Sequence, residues 1–88
     1  MKHDFLKELW GNDYVERLNN ALKKYLENSR NENIERNILI FNDCYFNDMD
    51  FVQIAEKYGL TKARSGEIVH YYMRLMKYII KWQNFQQR

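Results

Sequence analysis

Apolar residues recur along this chain at spacings of three and four, and each run is bounded by glycine or by clustered asparagine and aspartate. That period matches the 3.6-residue turn of an α-helix, so the pattern predicts helices and no strands. Asp4 to Trp10 places Phe5, Leu6, Leu9 and Trp10 on one side and stops at Gly11, which makes a short first helix. Asp13, with Glu16 three residues on, is placed to cap a second helix whose inward stripe is Val15, Leu18, Leu22, Tyr25 and Leu26, running to about Asn28. Asn28, Ser29, Arg30 and Asn31 form a polar connector. A third helix follows, with Ile34, Ile38, Phe41 and Tyr45 in one stripe and Leu39 beside it. Asn47 to Asp50 offers cap-competent side chains for a fourth helix, Phe51 to Tyr58, stopped by Gly59. Too short to hold alone, that helix must be packed through Phe51, Ile54, Ala55 and Tyr58. Thr61 then caps a last helix from about Lys62 to Phe85, roughly 36 Å long at 1.5 Å per residue.

The expected fold class is all-α: a compact bundle of about five helices containing a helix-turn-helix and a long C-terminal helix. One domain spans 1–88, with N-terminal helices in 1–30 and the helix-turn-helix unit in 31–88. Composition agrees, because there is no proline and only three glycines, too few breakers for a β-rich fold. A chain of 88 residues buries about 60 to 65% of its unfolded surface and has little left to wall off a substrate cleft, so no enzyme is expected. Cys44 has no partner for an internal disulfide, and two histidines with one thiol fall short of zinc spacing, so neither a metal nor a cofactor is expected. No run approaches the ~20 apolar residues of a membrane span and none resembles a signal sequence, which predicts a cytoplasmic protein without a membrane partner.

Charge changes this picture through its distribution. The net charge is +2, yet from Lys57 onward seven basic residues face Glu67 alone, a local +6 that leaves −4 for residues 1–56. A basic end of this kind points to a polyanion, although lysines that merely complement a helix dipole would read the same way.

The stretch from Phe51 to Ile68 reads as a helix-turn-helix. Ala55 is small where two helices cross, Gly59 permits a left-handed turn, Leu60 plugs the corner and Ile68 packs the second helix back. Taken with Glu35-Arg-Asn-Ile-Leu-Ile-Phe before it and Met73-Arg-Leu-Met after it, the stretch from about Ile34 to Lys77 resembles the fourth region of bacterial sigma factors. That family includes stand-alone sigma-like regulators common in phages and mobile elements. The resemblance implies a helix that enters the major groove of promoter DNA, with Thr61, Lys62, Arg64, Glu67, Tyr71 and Arg74 facing the duplex. Two positions depart from it: Ser65 stands where the family has an aliphatic core residue, and Gly66 offers a base no side chain. The length leaves no room for the sigma region that melts DNA, so a complete sigma factor is not expected.

The last helix carries more than that family needs. Ile68, Tyr72, Leu75, Ile79 and Trp82 form one apolar stripe, and Val69, Met73, Met76 and Ile80 form another beside it. The N-terminal helices, with Trp10, Leu18, Leu22 and Leu26, can cover both; a homodimer or heteromeric interface is the alternative. Opposite lies a cationic stripe of His70, Arg74, Lys77, Lys81, Asn84 and Arg88, with Tyr71, Tyr78 and Phe85 recurring beside it every seven residues. Basic groups track a phosphate backbone while aromatic faces stack unpaired bases. The same aromatics could instead edge the core with their hydroxyls in water.

Other reactive residues read as structural. Cys44 is expected to be a small buried hydrophobe, and His3 and His70 lack the company of a catalytic triad or ligand set. Asp43, Asp48 and Asp50 read as helix caps, since a calcium loop needs a mid-loop glycine and a distal glutamate. No phosphate-cradling glycine loop exists.

The leading expectation is thus a non-enzymatic, sigma-like transcription regulator that binds DNA, duplex before single strand. Its interface residues would be Thr61, Lys62, Arg64, Glu67, His70, Tyr71, Arg74, Lys77, Tyr78 and Lys81. Specificity would need a dimer or an RNA polymerase partner. The alternative is an accessory subunit of a mobile-element replication or defence complex, holding a polymerase, primase or helicase and single-stranded DNA. A third reading is an inhibitor that mimics a sigma domain and docks through its acidic first part, with Asp13, Glu16, Glu27, Glu32 and Glu35.

Overall fold

Five α-helices follow one another among the described residues: α1 (Asp4–Trp10), α2 (Tyr14–Leu26), α3 (Ile34–Tyr45), α4 (Phe51–Tyr58) and α5 (Lys62–Gln86), with a 3-10 turn at Gly11–Asp13. This computed structural model describes residues 4–28 and 33–86, and side chains at 5–28 and 33–82. His3, Ser29, Arg30, Asn31, Glu32 and Arg88 lie outside the described residues, as do the side chains of Asn84 and Phe85.

The all-α class is borne out, and α5 is the axis of the bundle, packing against α2, α3 and α4. Leu18 and Leu22 of α2, Ile40 and Phe41 of α3, Ile54 of α4 and Leu6 of α1 are all fully buried. Each such side chain stabilises the fold by about 1.5 to 3 kcal/mol relative to exposure. From α5, Ile68, Val69, Tyr72, Leu75, Met76 and Ile79 are buried, and Met73 and Ile80 are half-buried. Both predicted stripes are therefore covered by the chain itself, except Trp82, which is 52% exposed.

Several expectations are corrected. Asp13 makes no capping bond, because the 3-10 turn at Gly11–Asp13 leads the chain directly into α2. Tyr25, expected on the inward stripe of α2, is 52% exposed; the buried positions step by four through Leu18, Leu22 and Leu26, and Tyr25 lies one residue off that line. Cys44 is half-buried against the core and not fully enclosed. Asn37, by contrast, is buried on α3, where its side-chain oxygen accepts from Arg36 Nε and Nη2 at 3.2 and 3.0 Å. Ser65 takes the core position that the resemblance assigns to an aliphatic residue. Its hydroxyl donates to the Thr61 carbonyl at 2.9 Å, so a fully buried polar group is satisfied within the helix.

Of the three aspartates read as caps, Asp50 makes a capping bond to the Gln53 N–H. Asp48 sits at the loop with φ 58°, a left-handed conformation that aspartate tolerates. Asp43 instead fastens α3 to α4: its carboxylate accepts from Tyr58 Oη at 2.6 Å, Lys57 Nζ at 2.9 Å and Asn47 Nδ2 at 3.1 Å. Burial pushes its pKa up, but the bonds from Tyr58, Lys57 and Asn47 and the charge on Lys57 more than offset that, and the net shift is downward from 3.8. The Tyr58 hydroxyl is correspondingly raised, by burial and by its bond to Asp43. A lowered carboxylate pKa contributes stability that is present above the unfolded value and lost as pH falls through the folded one. The melting temperature is therefore expected to decline from about pH 5 downward, and Asp43→Asn to flatten that part of the profile while lowering stability by about 2 kcal/mol at neutral pH. Calorimetric melts of both proteins across acidic pH measure this; parallel profiles would remove Asp43 as the acid-sensitive fastening.

Candidate nucleic-acid interface

The interface is built on the α4–turn–α5 unit, and local chemistry sets its geometry. Asp50 and Gln53 form a reciprocal capping box: the Gln53 N–H donates to Asp50 Oδ1 at 2.8 Å and the Asp50 N–H to Gln53 Oε1 at 3.0 Å. Gly59 adopts φ 68° and ψ 38°, the left-handed conformation that ends a helix without a Cβ penalty. The Leu60 N–H then reaches back to the Ala55 carbonyl at 2.9 Å, and Leu60 packs on the core. Thr61 Oγ1 accepts from the Arg64 N–H at 3.0 Å and starts α5.

Gly66 explains how closely the two helices meet. A Cβ there would lie 3.3 Å from the Phe51 ring, so the first residue of α4 is seated on a helical glycine. The ring also meets His70 edge-on at 5.8 Å. Glycine in a helix costs about 1 kcal/mol relative to alanine, whose Cβ here would press on the Phe51 ring.

All ten residues predicted for the interface are exposed. They do not form one surface. At 100° per residue, His70, Arg74, Lys77 and Lys81 fall on one strip of α5, while Tyr71, Tyr78 and Trp82 fall on another roughly 90° round the helix. Two of the ten are engaged locally: Thr61 in its cap, and Glu67 with Arg64 Nη1 at 3.3 Å, an exposed pair of little energetic consequence.

The aromatic strip continues onto α2. Tyr78 meets Tyr25 edge-on at 5.7 Å, and both remain about half exposed at 54% and 52%. Tyr71, at 41% exposed, leans edge-on against the buried Tyr72 at 5.6 Å. Sequence reasoning missed Tyr25 and Trp82 as members of this strip because their apolar character and spacing assigned them to the core. It also missed Phe51, Ala63 and Gly66, which with Lys62, Glu67, His70 and Arg74 line a shallow, open depression beside the cationic strip. The recurrence of 63, 67, 70 and 74 at four, three and four residues was the available signal.

Among the described residues, no three histidine, cysteine, aspartate or glutamate side chains are gathered so as to hold a metal ion. None of the described helices is long and apolar enough to cross a membrane. Comparison of the chain with protein-family models, with curated proteins and with solved structures finds no match.

Proposed function

We propose that the chain is a non-enzymatic helix-turn-helix protein that binds duplex DNA with the outward face of α5 and acts as a sigma-like regulator of transcription. The observation that carries this reading is the row His70, Arg74, Lys77 and Lys81, exposed and uninterrupted by acid over about 16 Å of one helix. Charge so arrayed neutralises phosphates, while the first turns of the same helix offer Lys62, Arg64 and Glu67 to base edges. Thr61 acts through its cap, fixing the start of α5. One short reading helix spans few base pairs, so a second copy of the chain or RNA polymerase supplies the remaining specificity.

A second reading rests on the aromatic strip. Exposed Tyr25, Tyr71, Tyr78 and Trp82 suit stacking of unpaired bases, or the holding of a larger replication protein, better than they suit a duplex.

Fluorescence anisotropy of one labelled sequence, as duplex and as single strand over a salt series, separates the two. The first reading expects tighter duplex binding and a slope of log affinity against log salt of about −3 to −4, from the three or four phosphate contacts of that row. Lys62→Ala with Arg64→Ala is expected to weaken the duplex complex at least tenfold with helical content unchanged. Preference for the single strand would move the assignment to the accessory-subunit reading.

A further inference from the structure

The depression on α5 is not itself cationic. Its apolar surface is the Phe51 ring lying over Gly66, together with the methyl group of Ala63. Around it stand Lys62, His70 and Arg74, and Glu67, whose carboxylate Arg64 holds at 3.3 Å. The Phe51 ring fills the space over Gly66, and beside it Ala63 presents only a methyl group where a longer side chain would cover the ring face. An apolar recess inside a cationic rim, on a helix placed to enter a major groove, has one matching feature on a base edge: the 5-methyl group of a pyrimidine.

Resting on the duplex-binding reading of α5, we infer that Phe51, Ala63 and Gly66 form a recess for the 5-methyl group of thymine, which makes Phe51 and Ala63 specificity-determining residues. Thymine and 5-methylcytosine both carry that methyl. The rim selects between them: thymine places the O4 acceptor beside its methyl, complementary to Lys62, His70 and Arg74, whereas 5-methylcytosine places an amino donor there. Glu67 is the one carboxylate on the rim, against the three donor-bearing side chains Lys62, His70 and Arg74.

The test uses a duplex recovered by selection from a random pool on the wild-type protein. It is resynthesised with deoxyuridine for thymidine, one position at a time, and then with a 5-methylcytosine·guanine pair at the most sensitive position. Loss of one buried methyl is expected to weaken binding about fourfold, and 5-methylcytosine is expected not to restore it. Ala63→Gln, at an exposed position in a residue type that favours helix, is expected to abolish the thymine-over-uracil preference while leaving the salt slope unchanged. Equal affinity for the thymine and uracil duplexes overturns the inference. So does a uracil effect that persists in Ala63→Gln, because it then belongs to the shape of the DNA, and so does full rescue by 5-methylcytosine. Failure to recover any bound duplex overturns the parent reading instead, and is distinguishable from all three.

Discussion

Replacing Arg74, Lys77 and Lys81 together by alanine is expected to weaken duplex binding by two to three orders of magnitude at about 0.1 M salt and to make the salt slope about three units shallower. Each neutralised phosphate contributes close to 0.9 to that slope, so three lost contacts are countable. All three side chains stand in solvent on α5, and their removal leaves no cavity and no unpaired partner among the described contacts. Circular dichroism and melting temperature should therefore match the wild type. Lys23→Ala with Lys24→Ala, equally exposed on α2, serves as the control and should leave the slope unchanged. A triple variant that keeps the wild-type slope would show that these cations do not lie on phosphates, and the proposed function would fall with it.

Phe41→Ala is expected to cost about 3 to 5 kcal/mol of folding stability. Phe41 is fully buried and central: its ring stacks on Tyr45 at 5.4 Å and meets Phe46 at 6.3 Å and Tyr72 at 6.4 Å, joining the end of α3 to the middle of α5. Its removal loses apolar burial and leaves a space that three other rings cannot all collapse to fill. For a domain of this length, total stability is on the order of 4 to 13 kcal/mol, so the variant sits close to unfolding at room temperature. Urea titration followed by circular dichroism measures the difference. A loss below about 1 kcal/mol would mean that the α3–α5 contact does not depend on this ring.

The helices themselves were legible in the sequence because each carries its own punctuation. Gly59 stops α4, Thr61 starts α5 and Asp50 starts α4, and all three act within four residues of the atoms they bond. The apolar period likewise found Leu18, Leu22, Ile38, Phe41, Ile68 and Tyr72, since a buried stripe must repeat with the helix. Features that depend on distant residues were hidden. Asp43 resembled a cap because nothing near it in sequence indicates that Tyr58, fifteen residues on, turns its hydroxyl toward it. Gly66 resembled a defect in the reading helix until the Phe51 ring was found against it. For the interface, periodicity placed the cationic row His70, Arg74, Lys77 and Lys81 and the aromatic row of Tyr71 and Tyr78 beside it, but it could not show that Tyr25 joins the aromatic row from another helix.

The Asp43 fastening and the Phe51–Gly66 seat hold α4 against the rest of the bundle without using Lys62, Ala63, Glu67 or Arg74. Those four residues face outward and the core does not depend on them, so substitutions there are close to additive with changes in the interior. The scaffold is thereby evolvable: target preference can drift at these positions at almost no thermodynamic cost. A lineage of such chains would diverge fastest on the outward face of α5 while its interior stayed the same.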